Sequence, residues 1–167
     1  MRVQVLQRMR SAKRGKSPLS LAISLSFAIS LPVVAGCSTE DRSPVPVACK
    51  EGPDSVRAAL ARAPARVELD DTPLSECFTR GADSADLQQV GATYVAVAAR
   101  LADAARQRPG GPEALRLGYL VGAAKRGEAR TQGIHHDLMR RIEQELNGVD
   151  TASPGYQRGF RAGQEHG

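Results

Sequence analysis

The stretch DSADLQQVGATYVAVAARLADAAR, residues 83–106, decides the fold class. Leu87, Val90, Tyr94, Val97, Leu101 and Ala104 follow one another at intervals of 3, 4, 3, 4 and 3. Side chains three and four apart share one face of an α-helix, so this spacing draws a single apolar stripe over five turns. Pro109-Gly110-Gly111-Pro112 ends the helix and starts the next.

From Pro112 the chain is apolar nearly all round, with Leu115, Leu117, Tyr119, Leu120, Val121, Ala123 and Ala124. A helix with no polar face belongs at the centre of its domain. Lys125, Arg126 and Arg130 come after, where positive charge suits a helix C-terminus. Ile134, Leu138, Ile142 and Leu146 then mark a third amphipathic helix over 134–146, ended by Asn147-Gly148. Asp137 with Arg141, and Arg141 with Glu145, form i,i+4 charge pairs on its wet face. A last helix starts at Ser153-Pro154.

Two of these helices share a spelling. Gly118-Tyr119-Leu120-Val121-Gly122 and Gly159-Phe160-Arg161-Ala162-Gly163 both read glycine, aromatic, two residues, glycine. Each helical glycine costs about 1 kcal/mol relative to alanine. The return is a gap through which another backbone comes close, within the domain or between copies; in a chain with 16 glycines the repeat is otherwise coincidence. The membrane dimerisation meaning of this motif requires an apolar 20-mer, which the polar residues around Gly159 exclude.

Upstream the signals are shorter. Asp54 reads as the cap of a helix reaching Arg62, with Val56, Ala59 and Leu60 on one side and Pro64 after it. Val67 to Asp71 is extended but too short to argue for a sheet. Thr72 reads as the cap of another short helix, with Pro73 first and Gly81 beyond its end. Asp70 and Asp71 stand just before it, where acids favour the helix dipole. The expected fold is therefore all-α, a small bundle of about five helices over 49–167.

The first 17 residues carry Arg2, Arg8, Arg10, Lys13, Arg14 and Lys16 and no acid. Leu19 to Val34 is free of charge and leads into Val34-Ala35-Gly36-Cys37. A basic stretch, an apolar stretch and small residues in that order are the mark of export. Val34-Ala35-Gly36-Cys37 resembles the lipobox of bacterial lipoproteins. The resemblance implies a signal peptide over 1–36, cleavage after Gly36 and lipid, palmitate included, on Cys37, with the domain outside the cytoplasm in the cell envelope. A spanning helix instead needs about 20 predominantly apolar residues, and this run is shorter, dotted with serine and broken by Pro32. Residues 37–48, polar and punctuated by proline, read as a flexible tether.

The whole chain has a net charge of +5, yet the export segment holds six of its 23 basic residues and none of its 18 acidic ones. The chain from Cys37 onward is nearly neutral, which removes the basic footprint of a nucleic-acid binder. Outside the cytoplasm, Cys49 and Cys77 read as a disulfide, the alternatives being free thiols or a metal site, for which their spacing is wrong.

Residues that carry chemistry are few. No phosphate loop, serine elbow or haem-attachment motif occurs. His135-His136-Asp137 suggests metal, but helical neighbours point about 100° apart; a solvated helix start is the plainer reading. No catalytic residue, metal ligand or cofactor is assigned. The expectation is a membrane-anchored lipoprotein with a non-catalytic helical domain for protein binding or structure. The rivals are an envelope hydrolase using an unrecognised carboxylate site or one of His135, His136 and His166, and a small-ligand carrier with a pocket lined by Tyr94, Tyr119 and Tyr156.

Overall fold

The computed structural model describes residues 44–131, 133 and 135–167. The export segment, Cys37 and Ile134 lie outside the described residues. Among the described residues five α-helices run in chain order: α1 (Pro53–Ala59), α2 (Ser84–Gln107), α3 (Pro112–Arg130), α4 (His136–Glu145) and α5 (Pro154–His166). A two-residue hairpin, β1 (Glu68–Leu69) and β2 (Thr72–Pro73), joins α1 to the rest. The domain is predominantly α, a small helical bundle.

The 83–106 stripe becomes α2, capped by the Asp83 carboxylate, which accepts from the Asp86 amide at 2.8 Å. Val90, Tyr94, Val97 and Leu101 face the core, while Leu87 and Ala104 at its ends are half-buried. α3 is the central helix. Leu117, Tyr119, Leu120, Ala123 and Ala124 have no exposed surface, so it is enclosed on every side along its middle.

α5 lies against α3 with no side chain between them. A Cβ on Gly118 would run into the Tyr156 carbonyl, and one on Gly122 into that of Phe160. In return, Gly159 meets the Leu115 carbonyl and Gly163 that of Tyr119. The partners advance together along both chains, so the two helices are parallel. All four glycines serve one seam inside the domain. Main chain meeting main chain at such range is the setting for Cα–H···O contacts, each worth about 0.5–1 kcal/mol.

Elsewhere the structure departs from the sequence reading. Val45 and Ala48 are buried and residues 47–50 form a turn of 3-10 helix, so the packed domain begins by Val45 rather than Cys49. The apolar residues of that proline-rich stretch find a place in the core. Gly52, not Asp54, precedes the first turn of α1. Thr72-Pro73 is strand rather than helix start, and Leu74–Cys77 is 3-10. Asp70 and Asp71 cap nothing: with φ of 42° and 62°, they are the turn of the hairpin. A two-residue hairpin turn needs two left-handed residues, and aspartate tolerates that region better than most. In α4, Asp137 pairs with Arg140 at 3.2 Å and not with Arg141.

Candidate functional site

The chemistry-bearing side chains are, for the most part, used by the fold. Cys49 and Cys77 form a disulfide with Cα atoms 5.5 Å apart, tying the turn at 47–50 to the one at 74–77. Both cysteines are fully buried. The Tyr94 hydroxyl donates to the Leu74 carbonyl at 2.8 Å, and burial raises its pKa. The Tyr119 hydroxyl accepts from the Val67 amide at 3.0 Å; burial raises its pKa too, opposed by that bond. Both rings are in the core, so the three tyrosines do not line a common pocket. Tyr156 borders a cavity of about 230 Å³ between α3, α4 and α5, where burial and the Glu143 carboxylate push its pKa up to about 12.

The three histidines are not brought together. His136 is exposed, with Nδ1 3.2 Å from Glu128 Oε1, and His166 lies 3.6 Å from Glu165. His135 is not at a solvated helix start: it is 6% exposed and packs edge-on to Phe78, ring centroids 5.3 Å apart. Burial lowers its pKa, against a hydrogen bond to the Thr79 main chain and the nearby Glu128 carboxylate. Its Nε2 has no hydrogen-bond partner among the described residues. No three His, Cys, Asp or Glu among the described residues are placed to hold a metal ion.

His135 borders a cleft of about 580 Å³ between α2 and α4. Leu87, Ala92 and Leu138 give it apolar walls, and Gln88, Asp137, Arg140 and Arg141 supply polar groups, Arg140 being paired with Asp137. On its floor Leu138 packs over Gly91, its Cδ1 3.3 Å from where a Cβ would stand, so the absent side chain lets α4 come close to α2 there. Such a mixed surface suits a peptide segment that brings both a side chain to bury and a carboxylate to pair.

A second opening sits about 15 Å further along α2, roughly ten residues on at about 1.5 Å each. There a cavity of about 340 Å³ is bordered by Arg57, Arg100, Glu113 and Arg116. Another of about 340 Å³ lies beside it, bordered by Arg116 again, Arg158, Pro64, Gly111 and Gly155. Sequence reasoning missed this place because its arginines come from α1, α2, α3 and α5, spaced widely in the chain. No family model matches the chain, and no curated protein or solved structure matches it either.

Proposed function

We propose that this chain is a lipid-anchored lipoprotein of the cell envelope whose helical domain is a non-catalytic module for binding a protein partner. The α2–α4 cleft is the observation that carries the reading. It offers an apolar wall beside Arg141 and the Arg140–Asp137 pair, while the cysteines and the Tyr94 and Tyr119 hydroxyls are engaged in holding the fold. The Val34-Ala35-Gly36-Cys37 pattern supplies the anchor. Val45 is already in the core eight residues after Cys37, so an extended connection keeps the domain within about 30 Å of its lipid.

The test is crosslinking in living cells with the full chain, a photoreactive residue placed at Gln88 in the cleft or at Arg161 on the exposed side of α5. A discrete adduct from position 88 only, lost with Cys37→Ala, supports a membrane-recruited binding module. Equal labelling from both positions argues against the cleft. Failure of Cys37 to take up labelled palmitate would remove the anchor itself.

A further inference from the structure

We propose that the paired cavities around Arg116 form a binding site for a phosphate-bearing small molecule or headgroup. Four arginines line them, Arg57, Arg100, Arg116 and Arg158, against one carboxylate, Glu113. Arg116 borders both, which makes one basic trough of two compartments. The charge is only partly answered from within. Arg116 lies 3.9 Å from Glu113 Oε1, and Arg57 and Arg100 share Asp54 at 3.0 and 3.4 Å. Asp54 is 86% exposed on its side chain, where water screens it. Arg158 makes no ion pair among the described residues.

The fold treats the opposite end of α3 and α5 differently. Because these helices are parallel, their carbonyl ends lie together, and arginines answer both. Arg126 donates to the Gln164 carbonyl at 2.7 Å and to that of Glu165, while Arg80 Nε donates to the Arg130 carbonyl at 3.0 Å. At the amide end, arginines gather as well. Like charge is thus assembled where both helix dipoles are already positive. Glu113, in the first turn of α3, answers part of that positive potential, with its Oε2 buried and free of hydrogen bonds among the described residues, and a bound anion would answer the rest. α5 has no acid in its first turn, and Ser153 turns its hydroxyl to the Asp150 carbonyl, 2.8 Å away, instead of capping.

Phosphate is the group that fits this chemistry. The guanidinium fork matches its oxygens in pairs, and two arginines converging from α3 and α5 can hold it on two sides. The volume of each compartment lies at the small end of the range for ligand sites, suited to a phosphate with a short polar substituent. Pro64, Gly111 and Gly155 bring little bulk to the walls, so the trough stays open.

The experiment is calorimetric titration of the full chain in a neutral detergent, which makes the outcome independent of whether Cys37 is lipidated. The probes are inorganic phosphate, glycerol 3-phosphate and short-chain phosphatidylglycerol, with short-chain phosphatidylcholine as the zwitterionic control. Saturable binding tighter than about 1 mM is expected for at least one anionic probe. Arg116→Gln and Arg158→Gln should each weaken it by about tenfold or more, the loss of a charge-assisted hydrogen bond. Arg161→Gln, on the same helix as Arg158 but outside the trough, should bind as the parent does. Tightest binding of phosphatidylglycerol identifies a lipid headgroup, whereas comparable binding of inorganic phosphate identifies a free anion. No saturable binding, or unchanged binding in both trough variants with circular dichroism intact, overturns the proposal.

Discussion

Gly118 and Gly159 are reciprocal: each is the vacancy through which the other's helix passes. A methyl on Gly118 would meet the Tyr156 carbonyl, and one on Gly159 the Leu115 carbonyl. Both obstacles are main chain inside helices, so neither can step aside. Gly118→Ala and Gly159→Ala should each destabilise by about 1–3 kcal/mol, despite a gain of about 1 kcal/mol in helix propensity. Urea denaturation of the two variants checks this.

Gly91→Ala is the same substitution with the opposite expectation. Its new methyl would approach only Leu138 Cδ1 at 3.3 Å, the far end of a half-buried side chain. That end can swing aside, so the propensity term prevails and the variant gains up to about 1 kcal/mol. A loss as large as that of Gly118→Ala would mean that Leu138 is held rigidly.

Tyr119→Phe removes the acceptor of the Val67 amide, a main-chain donor at a fully buried residue. An unpaired buried donor costs about 1–3 kcal/mol. Tyr156→Phe, in contrast, should be nearly neutral at pH 7. Its effect emerges in alkali, because the folded-state pKa of Tyr156 is about 12 against an ordinary 10.0. The unfolded chain releases this proton first, so stability falls as pH rises through that window. The phenylalanine variant should lose up to about 2 kcal/mol less between the two pH values. Thermal melts across the alkaline range give the comparison.

His135 works on the acid side. Burial holds its pKa below 6.5, so the folded chain resists protonation that the unfolded chain accepts. Its contribution is complete above pH 6.5 and is lost as pH falls through the depressed value. His135→Phe keeps an aromatic edge on Phe78 and should flatten the acid limb of the stability profile. An unchanged limb would assign the acid sensitivity to other groups.

The disulfide closes a loop with a sequence separation of 28. Replacing Cys49 and Cys77 together by alanine should destabilise by about 2–5 kcal/mol. The comparison of melting temperatures with and without a reductant tests the same bond in the parent chain.

Much of this could be read in the sequence wherever periodicity had room to show itself. Val90, Tyr94, Val97 and Leu101 announce α2 because five turns repeat one pattern, and Pro112 and Pro154 mark first turns for a local steric reason. The glycine spelling was legible as a surface needing a close neighbour, though not which neighbour. Residues 67–77 resisted reading because two-residue strands have no period, and Asp70-Asp71 suits a cap as well as a turn. The partners of Tyr94 and Tyr119 were invisible for another reason: a main-chain group carries no residue identity. The arginine trough is likewise an accident of sequence and a fact of assembly, drawn from four helices.

The seam between α3 and α5 also sets an order of events. Gly118 and Gly159 are 41 positions apart in the chain, and α4 must be laid down between them. Helical turns form locally and fast, whereas a contact across that distance waits for loop closure. Until α5 arrives, α3 presents an open furrow of bare backbone along Gly118 and Gly122. α5 therefore closes this seam, and refolding should report its docking as a late, cooperative step.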